Sequence, residues 1–180
     1  MIQLPTREQI LEHLIFIPET GEFIWKLRRR PTNLTGRALN SWRMFNKSLA
    51  GTVAGSFGDT HIQISLFGHH FMAHRLAWVV LTGRPPKEEI DHVNRNGFDN
   101  RACNLREATR AQNKQNTRGY TRSGLPKGVR RSGRRKFRAM IKPPNSQTEM
   151  YLGTFDSAAD ASAAYRAAAL KHFGEFARFD

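Results

Sequence analysis

The chain has 180 residues, 39% apolar and 24% charged, with 29 Lys and Arg against 15 Asp and Glu and hence a net charge of +14. At about 100–200 residues per domain this length excludes a large enzyme scaffold, and near-average apolar content excludes a basic tail disordered throughout, so the expectation is a small folded protein with a polyanionic partner. A single cysteine, Cys103, excludes an intramolecular disulfide or a thiolate zinc finger. The longest apolar run, residues 76–81, falls far short of the roughly 18–20 residues of a membrane span. With no signal-peptide pattern at the start, a cytoplasmic protein without a membrane partner is expected.

In chain order, Thr6-Arg7-Glu8-Gln9 is a capping box ahead of Ile10, Leu11 and Leu14 and predicts a short amphipathic helix. Glu19-Thr20-Gly21 reads as a turn into a strand over Phe23-Ile24-Trp25. Residues 26–47 hold seven Lys or Arg, Arg28, Arg29 and Arg30 among them, and no acid. Pro31, Asn33, Gly36 and Asn40 mark this stretch as a loop, partly disordered without a ligand. Residues 1–60 thus form an N-terminal basic region. Residues 61–66 alternate as a strand with Ile and Leu on one face, Gly68 allows a hairpin to Phe71-Met72, and residues 73–81 have helical spacing until Gly83 and Pro85-Pro86.

Asn96-Gly97 is a tight-turn signal between two expected strands, residues 90–93 and 103–107, in which Cys103 would be a small buried residue. Thr109 with Gln112 forms a second capping box, so a helix starts at Arg110 and carries Asn113 and Asn116 on one face. The unit reads strand, loop, strand, helix and closes a domain at 61–117. Residues 118–127, with Gly119, Gly124 and Pro126, read as a linker. In the last segment, 128–180, Phe137, Ala139 and Ile141 alternate with Arg138, Met140 and Lys142, and a second strand follows over residues 151–155. Ser157 then caps an alanine-rich helix that stops at Gly174. The fold class is α+β.

Positive charge is concentrated: residues 101–142 hold fourteen Lys or Arg and one acid, Glu107. Interleaved with Gly, Ser, Thr and Asn, such a run fits phosphate contact better than a merely solvated face. Residues 91–113, which overlap the start of the second basic stretch, hold a set of groups suited to phosphodiester hydrolysis. An imidazole is suited to general-base work at neutral pH, which makes His92 the candidate base. Asp91 and the Asn113 amide oxygen are hard ligands that favour Mg²⁺ or Mn²⁺ over zinc, and Asn104 is placed to orient the His92 imidazole. Each has a bland alternative: Asp91-His92 as a capped turn, Asn100 and Asn104 as loop stabilisers, Asn113 as a solvated helix position. His69, His70 and His74 with Cys103 lack any characteristic ligand spacing.

Taken together, Asp91-His92, then Asn104-Leu105-Arg106, then Asn113 resembles the ββα-metal motif of the HNH endonuclease family, especially phage and intron-encoded homing endonucleases. The upstream segments His74-Arg75-Leu76-Ala77-Trp78 and residues 19–25 also resemble parts of that family. The resemblance implies His92 as general base, Asn104 as the bracing asparagine, and one Mg²⁺ or Mn²⁺ per site held by Asp91 and Asn113. It also implies 5′-phosphate and 3′-hydroxyl ends, and a phage-encoded protein working in a bacterial cell. Asn113 stands where the name-giving pattern has histidine, which matches the homing branch. Residues 127–177 resemble the Apetala-two DNA-binding domain, a three-stranded sheet backed by one helix. Arg130, Arg138 and Lys142 fall on its DNA-facing strands, with Arg131, Arg135 and Lys136 nearby. Arg28, Arg29, Arg30, Arg101 and Arg106 complete the expected DNA-binding set. The expected partner is double-stranded DNA, with no protein partner and a monomeric chain. The alternative is a non-cleaving, sequence-specific DNA-binding regulator.

Overall fold

The computed structural model describes residues 3–116, 124–144 and 146–179. It divides into two compact units, Met1–Glu107 and Ala108–Asp180. Most of the expected linker, residues 118–123, lies outside the described residues.

In the first unit, helix α1 (Arg7–His13) starts on the expected capping box: the Gln9 amide donates to Thr6 Oγ1 at 3.3 Å and the Thr6 amide to Gln9 Oε1 at 2.9 Å. Two orphan amides at the helix start are thereby satisfied. Strands β1 (Leu14–Ile17) and β2 (Glu22–Trp25) form an antiparallel hairpin, Leu14 opposite Trp25, closed by a turn through Gly21. Helix α2 (Gly36–Ser48) follows, then a three-stranded antiparallel sheet of β3 (Ser56–Phe57), β4 (Ile62–Leu66) and β5 (His69–Met72) in that order. Helix α3 (Ala73–Thr82) ends at Gly83, whose φ of +74° is the left-handed cap that glycine accepts. Strands β6 (Glu89–His92) and β7 (Leu105–Ala108) pair as a two-stranded sheet, with a 3₁₀ turn, Ala102–Asn104, just before β7. One core joins Ile10, Leu14, Phe23, Ile64, Leu76 and Val79, so α1, the hairpin, the sheet and α3 bury a common apolar face.

Three expectations for this unit are corrected. The stretch 26–47 is not a loop throughout, because α2 occupies Gly36–Ser48. Trp42 Nε1 donates to the carbonyls of Arg28 and Arg29 at 3.0 and 3.2 Å, and Phe45 meets Trp25 edge-on at 5.4 Å. The strands flanking Asn96-Gly97 differ from the expected 90–93 and 103–107, because β6 ends at His92 and β7 begins only at Leu105. Cys103 is exposed, because it lies on the 3₁₀ turn and not on a strand.

In the second unit, helix α4 (Arg110–Asn116) begins on the predicted Thr109 and Gln112 box, at 2.8 and 3.2 Å. Strands β8 (Val129–Ser132), β9 (Lys136–Ile141) and β10 (Met150–Phe155) form an antiparallel sheet in the order β10-β9-β8. Helix α5 (Ala158–Phe173) is capped by Ser157, whose Oγ accepts from the Asp160 amide at 3.1 Å. Its alanines let it approach closely: Ala161 is fully buried with Val129 and Ala139, and Ala169 with Ile141 and Phe173. A side chain on Gly128 would lie 2.0 Å from the Tyr165 ring, so glycine is required under the helix. Ala108 shares a core with Ile141, Tyr165 and Phe176, and Arg178 Nη1 donates to the Asn116 carbonyl at 2.9 Å. These contacts are why the divide falls at Glu107 and Ala108, with α4 on the C-terminal side, and not in the linker stretch.

Candidate active site

Strand β6 places Asp91 and His92 side by side, 4% and 5% exposed. A carboxylate and an imidazole this buried require partners, since desolvation without them is costly. Arg106, on β7, supplies one: its Nε and Nη2 reach Asp91 Oδ2 at 2.8 and 2.7 Å. Arg106, expected to contact DNA, thus has its guanidinium largely buried against Asp91.

The other partner comes from the connection between the strands. His92 Nε2 lies 3.1 Å from Oδ1 of Asn100, a residue only 1% exposed. Asn104, expected to orient the imidazole, braces the connection instead. Its Oδ1 accepts from the Asn94 amide at 2.9 Å, and its Nδ2 donates to Asn94 Oδ1 at 2.9 Å and to the Asp99 carbonyl at 2.7 Å. Asn94 Nδ2 donates to Asp99 Oδ2 at 2.7 Å, and Arg101 Nε and Nη2 donate to the same carboxylate at 2.8 and 2.6 Å. That guanidinium is the main reason the Asp99 carboxyl is held down at about 2. The polar loop is therefore a closed network in which neighbouring hydrogen bonds reinforce one another.

Two further histidines surround His92. The His74 ring, on α3, meets it edge-on at 5.1 Å, the His61 ring lies 5.5 Å away, and His61 and His74 are 4.8 Å apart. Burial pushes the His74 imidazole down to about 3, with the charges of His92, His61 and Arg75 adding to the effect. His61 is lowered too, first by burial and then by His92. Gly97 lies against this cluster, where a Cβ would stand 2.1 Å from the Thr60 carbonyl and 2.9 Å from the His61 ring. His69 and His70 are exposed and apart from it, His70 Nδ1 pairing with Ser65 Oγ at 2.9 Å.

Asp91, His92 and Asn104 all belong to the first unit, and Asn113 lies on α4 in the second. Among the described residues no three His, Cys, Asp or Glu side chains group so as to cage an ion. The Asp91 carboxylate is nevertheless a hard-oxygen donor of the kind that fits Mg²⁺ or Mn²⁺, ions that keep water and phosphate in their remaining positions.

The expected DNA-binding residues are mostly exposed. Arg28 stacks 3.4 Å over the Phe45 ring, while Arg29 and Arg30 face solvent. Arg101 is exposed while engaged with Asp99. In the second unit Arg130 stands opposite Arg138 across β8 and β9 and makes a two-pronged pair with Glu149 at 2.9 and 2.7 Å. Lys136 lies 3.1 Å from Asp156, and Arg131, Arg135, Arg138 and Lys142 are exposed. Sequence reasoning did not single out His61, and it did not foresee that His74 and Asn100 meet His92 or that Arg106 pairs with Asp91. Only the Asp91-to-Arg106 alternation across paired strands carried any signal for the last.

Residues 71–115 match the model of the HNH endonuclease family. The chain thus carries an HNH endonuclease domain, and the protein is a hydrolase that cleaves DNA. No solved structure matches the chain. Among the described residues no helix is long and apolar enough to cross a membrane.

Proposed function

We propose that this hydrolase is a site-specific, homing-type endonuclease that uses one Mg²⁺ or Mn²⁺ per site and His92 as its general base. The observation that carries the proposal is the buried Asp91-His92 pair on β6, inside the segment matching the HNH endonuclease model. His92 takes a proton from water, the hydroxide oxygen bonds to phosphorus, and the bond from phosphorus to the 3′ oxygen breaks, that oxygen taking a proton from solvent water. The ends are then a 5′-phosphate and a 3′-hydroxyl. A bound divalent ion would offset charge on the phosphorane and on the leaving oxygen. Asp91 and Asn113 are its proposed ligands, Asn113 on the strength of the family resemblance alone. Arg106 holds the Asp91 carboxylate in place, and Asn104 keeps the connection rigid around the base.

The second unit adds affinity and site preference in this proposal. A three-stranded sheet backed by α5, with Arg130 and Arg138 opposite each other and Lys142 exposed, supports an Apetala-two-type mode in which the sheet meets the duplex. A phage origin, a bacterial host cytoplasm and a monomeric state belong to the same proposal. The test is nicking of supercoiled plasmid with and without Mg²⁺ by the parent protein and by His92→Ala. Since a positioned base contributes about 10²–10⁴-fold, the variant should cleave slower by that factor with DNA affinity intact. Wild-type cleavage by the variant would refute the base assignment.

A further inference from the structure

We propose that Asn100 is a positioning residue for this hydrolysis, fixing the His92 ring in the tautomer that has its proton on Nε2 and its lone pair on Nδ1. The inference rests on the reading of His92 as the base. An amide oxygen can only accept, so the 3.1 Å contact between His92 Nε2 and Asn100 Oδ1 requires Nε2 to donate. A neutral imidazole carries one ring hydrogen, so a donating Nε2 makes Nδ1 the basic nitrogen. Were the amide turned over, its Nδ2 would donate to Nε2, the proton would move to Nδ1, and the base would face the wrong way. Asn100 thus selects which nitrogen does the chemistry.

The surroundings leave Asn100 little freedom. A side chain on Gly21, whose φ is +76°, would lie 2.3 Å from the Asn100 carbonyl carbon and 2.4 Å from the Arg101 nitrogen, so the hairpin turn lies flush against this backbone. The Ala102 amide donates to the Pro18 carbonyl at 2.9 Å, tying the same loop to the same turn. On the imidazole side the His61 and His74 rings flank His92, limiting its rotation. Asn100 Nδ2 is buried without a hydrogen-bond partner. The contact with His92 is therefore the one side-chain hydrogen bond that Asn100 makes among the described residues.

The experiment records the ¹⁵N-edited ring spectrum of His92 in the full-length protein at a pH where the imidazole is neutral, for wild type, Asn100→Leu and Asn100→Asp. Single-turnover plasmid cleavage and DNA affinity are measured on the same samples. Wild type should show one Nε2–H tautomer with its ring proton protected from exchange. Asn100→Leu keeps the volume but removes the acceptor, so protection should be lost and cleavage should slow by about 10- to 100-fold, as for other outer-shell partners, with DNA affinity unchanged. Asn100→Asp keeps an acceptor oxygen and should restore the protected Nε2–H signal and most of the rate. An Nδ1–H tautomer in wild type would overturn the proposal, as would a wild-type rate and ring spectrum in Asn100→Leu. If Asn100→Leu does not fold, the wild-type and Asn100→Asp spectra still decide. The ring spectrum reports the tautomer whether or not His92 is the base, so failure of the base assignment in His92→Ala is distinguishable from failure of this inference.

Discussion

The buried His74 ring makes the first unit acid-sensitive in a pH range where few other groups respond. Its imidazole is 8% exposed and held down to about 3, against 6.5 in the unfolded chain, so the unfolded chain binds a proton that the native one does not. Stability is therefore full above pH 6.5 and is lost as pH falls toward 3. At pH 5 the gap amounts to about one and a half pH units of unmatched protonation, or about 2 kcal/mol at 1.36 kcal/mol per unit. His61, lowered in the same direction, adds to the loss in any variant that keeps it, while Asp99 and Glu107 respond only at lower pH because arginines hold both near 2. His74→Phe keeps a ring against His61 and His92 and removes the titration. Urea unfolding followed by tryptophan fluorescence suits the test, because Trp25, Trp42 and Trp78 all lie in the first unit. Between pH 8 and pH 5 the wild-type midpoint should fall by roughly 1–2 M more than that of the variant, for a urea slope near 1–1.5 kcal/mol/M. Equal losses in the two proteins would refute the reasoning.

Other outcomes follow from the same contacts. DNA affinity should fall steeply with salt, with a log–log slope near −5 if about six phosphates are neutralised, and a flat dependence between low and physiological salt would remove the electrostatic footprint. Arg106→Leu strands the Asp91 carboxylate in a buried site, so urea unfolding should register a loss of about 3–5 kcal/mol, against little change for the exposed Arg101→Leu. Removing residues 128–180 strips α4 of the Arg178 bond to Asn116 and of the core around Ala108. A helix of seven residues does not persist alone, so plasmid cleavage should vanish even though Asp91 and His92 remain, and retained cleavage would show that α4 is dispensable.

The elements that sequence reasoning placed are those bounded by local chemistry. The Thr6, Thr109 and Ser157 caps, the Gly83 and Gly174 stops, and the strict alternation along β4 and β9 each act within a few residues, so the chain states them directly. Helix α2 escaped because nothing local announces it. Thr35 makes no capping bond, Gly36 opens the helix, and none of its residues is buried, so it depends on Trp42 and Asn46 reaching back to the backbone of residues 28 and 29.

The same distinction governs the site. Asp91, His92, Asn104 and Asn113 were singled out by their chemistry and by a spacing that resembles a family motif, which picks out residues without saying what each one touches. Asn100 and Asn104 occupy one polar loop and have the same side chain, and spacing alone cannot tell which oxygen faces the imidazole. That choice follows from the loop's closure, in which Asn104 turns toward Asn94 and Asp99 while the Gly21 turn holds the Asn100 backbone against β1 and β2. The pairing of Arg106 was hidden for a related reason: in a run of fourteen basic residues every arginine looks solvated, and only its position on β7 beside β6 puts it on a buried carboxylate. His61 and His74 come from β4's edge and α3, and their meeting with His92 is a product of the tertiary fold. The groups that surround the buried His92 ring are therefore set by long-range packing, even where the ring itself belongs to a motif legible in the sequence.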